Sequence, residues 1–136
     1  MPGKGELERL DAEVALRAGD MTSKSLSLTL WAYARLRRVP ANTTRAKLDA
    51  AVGIRLGEFK AQDLANSLWA FAKMGRPPAA ALQARIDEHV VRKLGELNAL
   101  DVAQVLSAYS TMGHAPSDTL LERLDARVRE LASRAG

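Results

Sequence analysis

The chain has 136 residues, enough for one domain with a core of its own, and only 4% of them are aromatic. It contains no cysteine, which excludes disulfides and thiolate metal sites. The formal net charge of +4 permits an anionic partner, and no stretch approaches the roughly 20 apolar residues of a membrane span.

The main feature of the sequence is an ungapped repeat. Segments that begin at Ser25, Asp63 and Asp101, each 38 residues apart, align as SLSLTLWAYARL, DLANSLWAFAKM and DVAQVLSAYSTM. A fixed period of this length is typical of stacked helical units, none of which can bury its apolar face alone. The sequence therefore predicts an all-α fold, an α-solenoid of stacked antiparallel helical hairpins.

The hydrophobic periodicity predicts seven helices, in chain order at about 5–18, 23–37, 41–56, 61–74, 79–94, 99–112 and 117–133. We expect one helical-repeat domain over 1–136, with a half repeat at 1–20 and repeats at 21–58, 59–96 and 97–136. Because the chain starts with a second-half helix, we expect either a small array with polar caps or part of a longer array.

One apolar stripe recurs on the first-half helices and another on the second-half helices, and both are predicted to form the core. The first-half stripe is Leu26, Leu30 and Tyr33, then Leu64, Leu68 and Phe71, then Val102, Leu106 and Tyr109. The second-half stripe is Leu10, Val14 and Ala18, then Leu48, Val52 and Leu56, then Ile86, Val90 and Leu94, then Leu124, Val128 and Ala132.

Glycine and proline mark the predicted helix ends. Gly75 and Gly113 suit the left-handed conformation that ends a helix, and Arg37 takes their place in the first copy. Prolines three residues later are expected to open the second-half helices. Glycines that recur every 38 residues near the ends of those helices are expected to terminate them. The prolines are Pro40, Pro78 and Pro116, and the closing glycines are Gly19, Gly57 and Gly95.

A second stripe on the first-half helices carries residues that differ between copies, and spacings of four and three place each set on one helical face. Amides can read base edges, indole rings can stack on bases and basic groups can pair with phosphate, so this stripe suits single-stranded RNA. The alternative is that the tryptophans belong to the core and the rest form a solvated face. The candidate RNA-binding residues are Lys24, Leu28, Trp31, Arg35, Arg38, Gln62, Asn66, Trp69, Lys73, Arg76, Gln104 and Ser107.

Two charge ladders follow the second-half helices at the period of the repeat. Residues two apart do not face each other on a helix, so we expect each member to meet a partner on an adjacent unit. Ion pairs between repeats are the favoured interpretation, and phosphate contacts by the basic ladder are the alternative. The basic ladder is Arg9, Lys47, Arg85 and Arg123, and the acidic ladder is Asp11, Asp49, Asp87 and Asp125.

The string LANSLWAFAKMG from Leu64, followed by Arg76-Pro77-Pro78, resembles the octotricopeptide repeat family of organellar RNA-binding proteins. The resemblance covers about three and a half units. The family's inter-helix motif, PPPEW, is reduced here, which leaves related heptatricopeptide or kinase-domain-like RNA factors open. The resemblance implies base-reading positions at Lys24 and Leu28, at Gln62 and Asn66, and at Leu100 and Gln104.

With this resemblance, the predicted function is sequence-selective binding of single-stranded RNA in a chloroplast or mitochondrion, for transcript stabilisation, processing or translation. Other proteins of an organellar ribonucleoprotein complex are expected as further partners, and a membrane is not. The alternative is a protein-binding scaffold, for example an organellar ribosome or assembly component, which the apolar residues Leu28, Trp31 and Leu100 favour.

Catalysis is not expected. The two histidines, His89 and His114, lie in no cluster with metal-ligand spacing and are predicted to be surface imidazoles. The sequence also carries no nucleophile elbow and no phosphate-binding glycine loop. We therefore expect no enzyme activity, no cofactor and no metal.

Overall fold

The computed structural model describes the backbone of residues 3–135 and the side chains of residues 3–134, and within them it has seven α-helices and no strand. This confirms the predicted all-α solenoid. Single 3-10 turns at Ala18–Asp20, Leu56–Glu58 and Leu94–Glu96 continue the first, third and fifth helices. The helices are α1 (Lys4–Arg17), α2 (Ser23–Arg35), α3 (Asn42–Arg55), α4 (Ala61–Met74), α5 (Ala80–Lys93), α6 (Ala99–Met112) and α7 (Asp118–Ala135).

The helices form two layers. The inner layer consists of α2, α4 and α6, which pack side by side, and the outer layer consists of α1, α3, α5 and α7. Ala70 and Ala108, at one position of the repeat, are fully buried and let the inner helices approach closely. Inner helices lie closer to each other than outer helices do, so the stack bends toward the inner layer. The inner layer therefore forms the concave side.

The core follows the predicted stripes in the middle of the stack and departs from them at its ends. Leu68 and Val90 are 0% and 1% exposed, whereas Leu106 and Val128, at the same positions of the last repeat, are 40% and 42% exposed. Leu10, at the other end, is also exposed. A solenoid repeat buries its edges only against its neighbours, and each of these residues has a neighbouring repeat on one side only within residues 3–135.

The predicted stops of the inner helices are confirmed. Gly75 and Gly113 have φ angles of +71° and +67°, as expected for a left-handed helix end. Arg37 occupies the same position with a φ of +54°, at a cost of about 1–2 kcal/mol that glycine would not carry. This turn ends α2 at Arg35, two residues before the predicted end.

Two details of the helix ends were predicted wrongly. Pro40 and Pro78 lie two residues before α3 and α5 begin, so they set the approach to each helix instead of opening it. Gly57 and its counterparts in the other repeats lie inside the 3-10 turns and do not adopt positive φ. The sequence pattern located these breaks correctly, but it could not distinguish a 3-10 continuation from a capped end.

Candidate nucleic-acid interface

The exposed face of the inner layer, which we call the concave surface, collects most of the predicted RNA-binding residues in four rows. Each row takes one residue from each of α2, α4 and α6. A groove of about 450 Å³ between α2 and α4 is lined by Arg35, Trp69 and Lys73, and a smaller one between α4 and α6 by Trp69, Lys73 and Ser107. The rows are Lys24, Gln62 and Leu100; Leu28, Asn66 and Gln104; Trp31, Trp69 and Ser107; and Arg35, Lys73 and Thr111.

Both tryptophans of the chain lie on this surface, each beside a cation from the next helical turn. Trp31 is 38% exposed, and the guanidinium carbon of Arg35 lies 5.0 Å from the centre of its ring. Trp69 is half-buried and packs against the core, with Lys73 Nζ 5.9 Å from its ring centre. The interpretation of both tryptophans as core residues therefore fails for Trp31. Each pair offers an aromatic face and a positive charge within one ligand's reach.

The middle of the concave surface carries amides. Gln62 Nε2 donates a hydrogen bond to Asn66 Oδ1 over 3.1 Å, which orients both side chains along the surface of α4. In this arrangement Gln62 Oε1 remains an acceptor and Asn66 Nδ2 a donor, the two functions needed for a base edge. Gln104 lies in the same row as Asn66, on the neighbouring helix, and is half-buried.

The concave surface is positively charged. None of its four rows contains an acidic residue. In the described part of the chain, no carboxylate lies within salt-bridge distance of Lys24, Arg35 or Lys73, whereas the outer layer holds ion pairs such as Arg17–Glu13 and Arg129–Asp125. Basic side chains without acidic neighbours keep their charge available for an anion.

A family model described as the Tbc2 translation factor, N-terminal domain, matches residues 37–133. The chain belongs to this family. The match runs from the turn after α2 through α3, α4, α5 and α6 and most of α7, and so includes two of the three inner helices. No curated protein and no solved structure matches the chain significantly.

Two of the predicted RNA-binding residues of this Tbc2-family domain, Arg38 and Arg76, lie outside the four rows, in the turns that follow the inner helices. Arg38 folds back onto Asp11 of α1, with Nη2 2.5 Å and Nε 3.4 Å from the two carboxylate oxygens. Its charge is therefore neutralised by a structural ion pair. Arg76, at the same position of the next repeat, is exposed, and no acidic partner lies near it in the described part of the chain. The structure thus brings Arg76, but not Arg38, to the surface as an available cation.

Asp11 is the centre of a buried cluster that joins α1 to the next hairpin. Its carboxylate accepts hydrogen bonds from the Tyr33 hydroxyl over 2.7 Å and the Ala41 backbone N–H over 3.2 Å, besides the pair with Arg38. Burial by itself raises the pKa of Asp11, but these donors outweigh it and hold the pKa below its ordinary value. Burial and the nearby carboxylate raise the pKa of Tyr33.

The cluster is repeated in the third copy and incomplete in the second. Asp87 accepts from the Tyr109 hydroxyl over 2.6 Å and from His114 Nε2 over 2.7 Å. His114 is therefore not the free surface imidazole that the sequence predicted. Asp49 has Phe71 in place of the tyrosine, and its buried Oδ1 has no hydrogen-bond partner among residues 3–134. Burial raises the pKa of Asp49, partly offset by the charge of Arg45.

The expectation that the acidic ladder bonds across repeats is thus confirmed for Asp11 and Asp87. It is wrong for Asp125, which pairs with Arg129 of its own helix. Arg85 of the basic ladder donates to the Gly53 carbonyl of α3 over 2.9 Å, and within residues 3–134 no ion pair joins the two ladders. The recurring spacing of Asp11, Tyr33 and Arg38 was a sequence signal of the buried cluster, which the two charge ladders alone did not reveal.

In the described residues no group of histidine and acidic side chains is arranged to hold a metal ion. None of the described helices is long and apolar enough to cross a lipid bilayer.

Proposed function

We propose that this domain binds single-stranded RNA on its concave surface and acts in the translation, stabilisation or processing of chloroplast or mitochondrial transcripts. The family to which it belongs is that of a translation factor domain. The 38-residue repeat and the LANSLWAFAKMG string support placing it with the octotricopeptide repeat proteins. RNA binding is the activity that would link this fold to a role in translation.

The observation that carries the proposal is the pair of indole–cation units, Trp31 with Arg35 and Trp69 with Lys73, on a surface without acidic residues. A base can stack on an indole while the neighbouring cation contacts the adjoining phosphate. The amides of Gln62 and Asn66 lie one row away, where they can bond the edge of a stacked base.

The expected affinity is modest. Three inner helices present about one base site each, and a stacked base contributes about 1–3 kcal/mol. Lys24, Arg35 and Lys73 supply three phosphate partners. Since each phosphate contact with a single strand adds about −0.7 to the slope of log affinity against log salt, we expect a slope of about −2.

Tryptophan fluorescence tests the proposal, because the chain has only two tryptophans and both lie on the concave surface. Adding single-stranded RNA of about ten nucleotides at low salt should quench the emission saturably, since stacked bases quench indole. A duplex of the same sequence should quench far less. A folded protein whose emission does not respond to RNA pools at low salt would contradict the proposal.

A protein ligand is the second candidate, and exposed leucines on the same surface favour it. Leu28 is 51% and Leu100 is 76% exposed, and exposed apolar side chains of this kind are typical of a protein-binding surface. On this account a partner helix lies along the rows and its binding persists at high salt. RNA then leaves the tryptophan emission unchanged.

A further inference from the structure

The turn after α2 has the same backbone as the turns after α4 and α6, but it carries a charged side chain where they carry none. The N–H groups of Arg37 and Arg38 donate to the carbonyls of Ala34 and Tyr33, both over 3.1 Å. The same two bonds close the other turns, with glycine at the left-handed position. Arg37 takes that position with a φ of +54°. Strained residues of this kind cluster at ligand-binding sites.

The side chain of Arg37 lines the groove of about 450 Å³ between α2 and α4, together with Arg35 and Lys73. All three side chains are exposed. Within residues 3–134 none of them lies within salt-bridge distance of a carboxylate. Trp69 belongs to the same lining. Three available positive charges therefore meet at one groove, beside an indole ring.

The next groove, between α4 and α6, shows what the repeat provides without this arginine. Its volume is only about 100 Å³, and Lys73 is the one charged residue in its lining. Gly75 takes the position of Arg37 there, and Thr111 takes that of Lys73. A single cation matches the single negative charge of a phosphodiester inside a strand. The surplus of two cations between α2 and α4 favours a ligand group with more charge.

A phosphomonoester is such a group, because it carries a charge of about −1.5 to −2 at pH 7 and three acceptor oxygens. Guanidinium groups can bind phosphate oxygens with two parallel hydrogen bonds, and a lysine adds a point charge. We infer that the groove between α2 and α4 binds the terminal phosphate of a single-stranded RNA. This inference rests on the proposed function and adds a preference for the chemical state of the strand's end.

On this assignment Arg35, Arg37 and Lys73 contact the terminal phosphate, and the base of the same nucleotide stacks on Trp69. A phosphodiester in the same groove offers one charge to the three cations, and a hydroxyl end offers none. The groove therefore distinguishes a phosphorylated end from an unphosphorylated one by charge, independently of the base sequence.

Three RNAs of one sequence, about ten nucleotides long, test the inference. One carries a 5′-phosphate, one a 3′-phosphate, and one hydroxyl groups at both ends. Tryptophan quenching at low salt should show about tenfold tighter binding of one phosphorylated strand than of the unphosphorylated strand, and the tighter strand identifies which end is bound. Equal affinities for all three would overturn the inference and leave RNA binding intact. Absence of binding by any strand would overturn both.

Arg37→Gly is the decisive variant, because glycine relieves the strained turn and should leave the helical circular dichroism unchanged. It should reduce the ratio of the two affinities to about one, whereas Arg37→Lys should retain most of the preference. Arg123→Gln on α7 is the matched control, since it lowers the net charge by the same amount outside the groove, and it should keep the full ratio. A preference that survives Arg37→Gly, or one that Arg123→Gln abolishes equally, would overturn the inference.

Discussion

Reversing the charges of Arg35 and Lys73 together should weaken binding of single-stranded RNA about 100-fold at low salt. Each cation offers one charge-assisted contact to phosphate, worth about 1.5–3 kcal/mol before screening at an exposed site is deducted. The reversal also places carboxylates beside Trp31 and Trp69, which repel the strand where its bases would stack. Tryptophan quenching measures the loss, and far-UV circular dichroism verifies that the fold is retained.

The matched control reverses Lys47 and Arg123, two exposed cations of the outer layer. Either double substitution takes the formal net charge from +4 to zero, so the two variants differ only in where the charge is changed. We expect the outer-layer variant to bind RNA within a few-fold of the wild type. Equal losses of RNA affinity in both variants would show that binding depends on net charge alone, and would contradict binding at the concave surface.

Replacing Asp11 by alanine should lower the free energy of unfolding by about 2–4 kcal/mol. The substitution removes the acceptor for the Tyr33 hydroxyl and the Ala41 N–H, and it leaves a polar group buried without a partner. It also releases Arg38 from the only ion pair it makes in the described part of the chain. Urea denaturation followed by circular dichroism measures the difference.

Asp49→Ala is the matched control, because Asp49 occupies the same position of the next repeat without the tyrosine. Within the described part of the chain its buried Oδ1 has no hydrogen-bond partner, so its removal forfeits no hydrogen bond at that atom and relieves a desolvated charge. We expect a change in the free energy of unfolding near zero or toward greater stability. A loss as large as that of Asp11→Ala would mean that the two carboxylates are supported alike, against the described contacts.

The two carboxylates should also respond to pH in opposite directions. Asp11 has a lowered pKa in the folded state, so its ionised form stabilises the fold above about pH 4, and this contribution is lost as the pH falls through the folded-state pKa. The raised pKa of Asp49 makes its ionised form a penalty, which disappears as the carboxyl is protonated on acidification. The advantage of the wild type over Asp11→Ala should therefore shrink below about pH 4.

The stacked arrangement of the helices was predictable because the repeat is visible in the sequence itself. An ungapped period fixes which positions recur, and positions such as Leu30 and Leu68 recur in equivalent packing. Exposure at the end was not predictable in the same way, since Leu106 and Val128 carry core residue types and only their neighbours decide burial. The sequence pattern gives the position of a residue within the repeat, but it does not show whether another repeat packs over that residue.

The candidate site, like the fold, could be predicted from the sequence only in part. Helical spacing correctly brought Trp31, Trp69 and Lys73 to one surface, because residues three and four apart share a helical face. The same spacing placed Arg38 wrongly, because its guanidinium turns away from that surface to the carboxylate of Asp11, 27 residues earlier in the chain. A single position in a stripe does not reveal which of two anions, one internal and one external, a flexible arginine will contact.

Binding of RNA along the exposed face of α2, α4 and α6 can be located by mapping backbone amide chemical shifts during a titration with short single-stranded RNA. We expect shift changes concentrated around Arg35, Asn66, Trp69, Lys73 and Gln104, with the outer helices α3 and α5 unaffected. Shifts that follow the outer layer, or a spectrum unchanged by RNA at low salt, would contradict it.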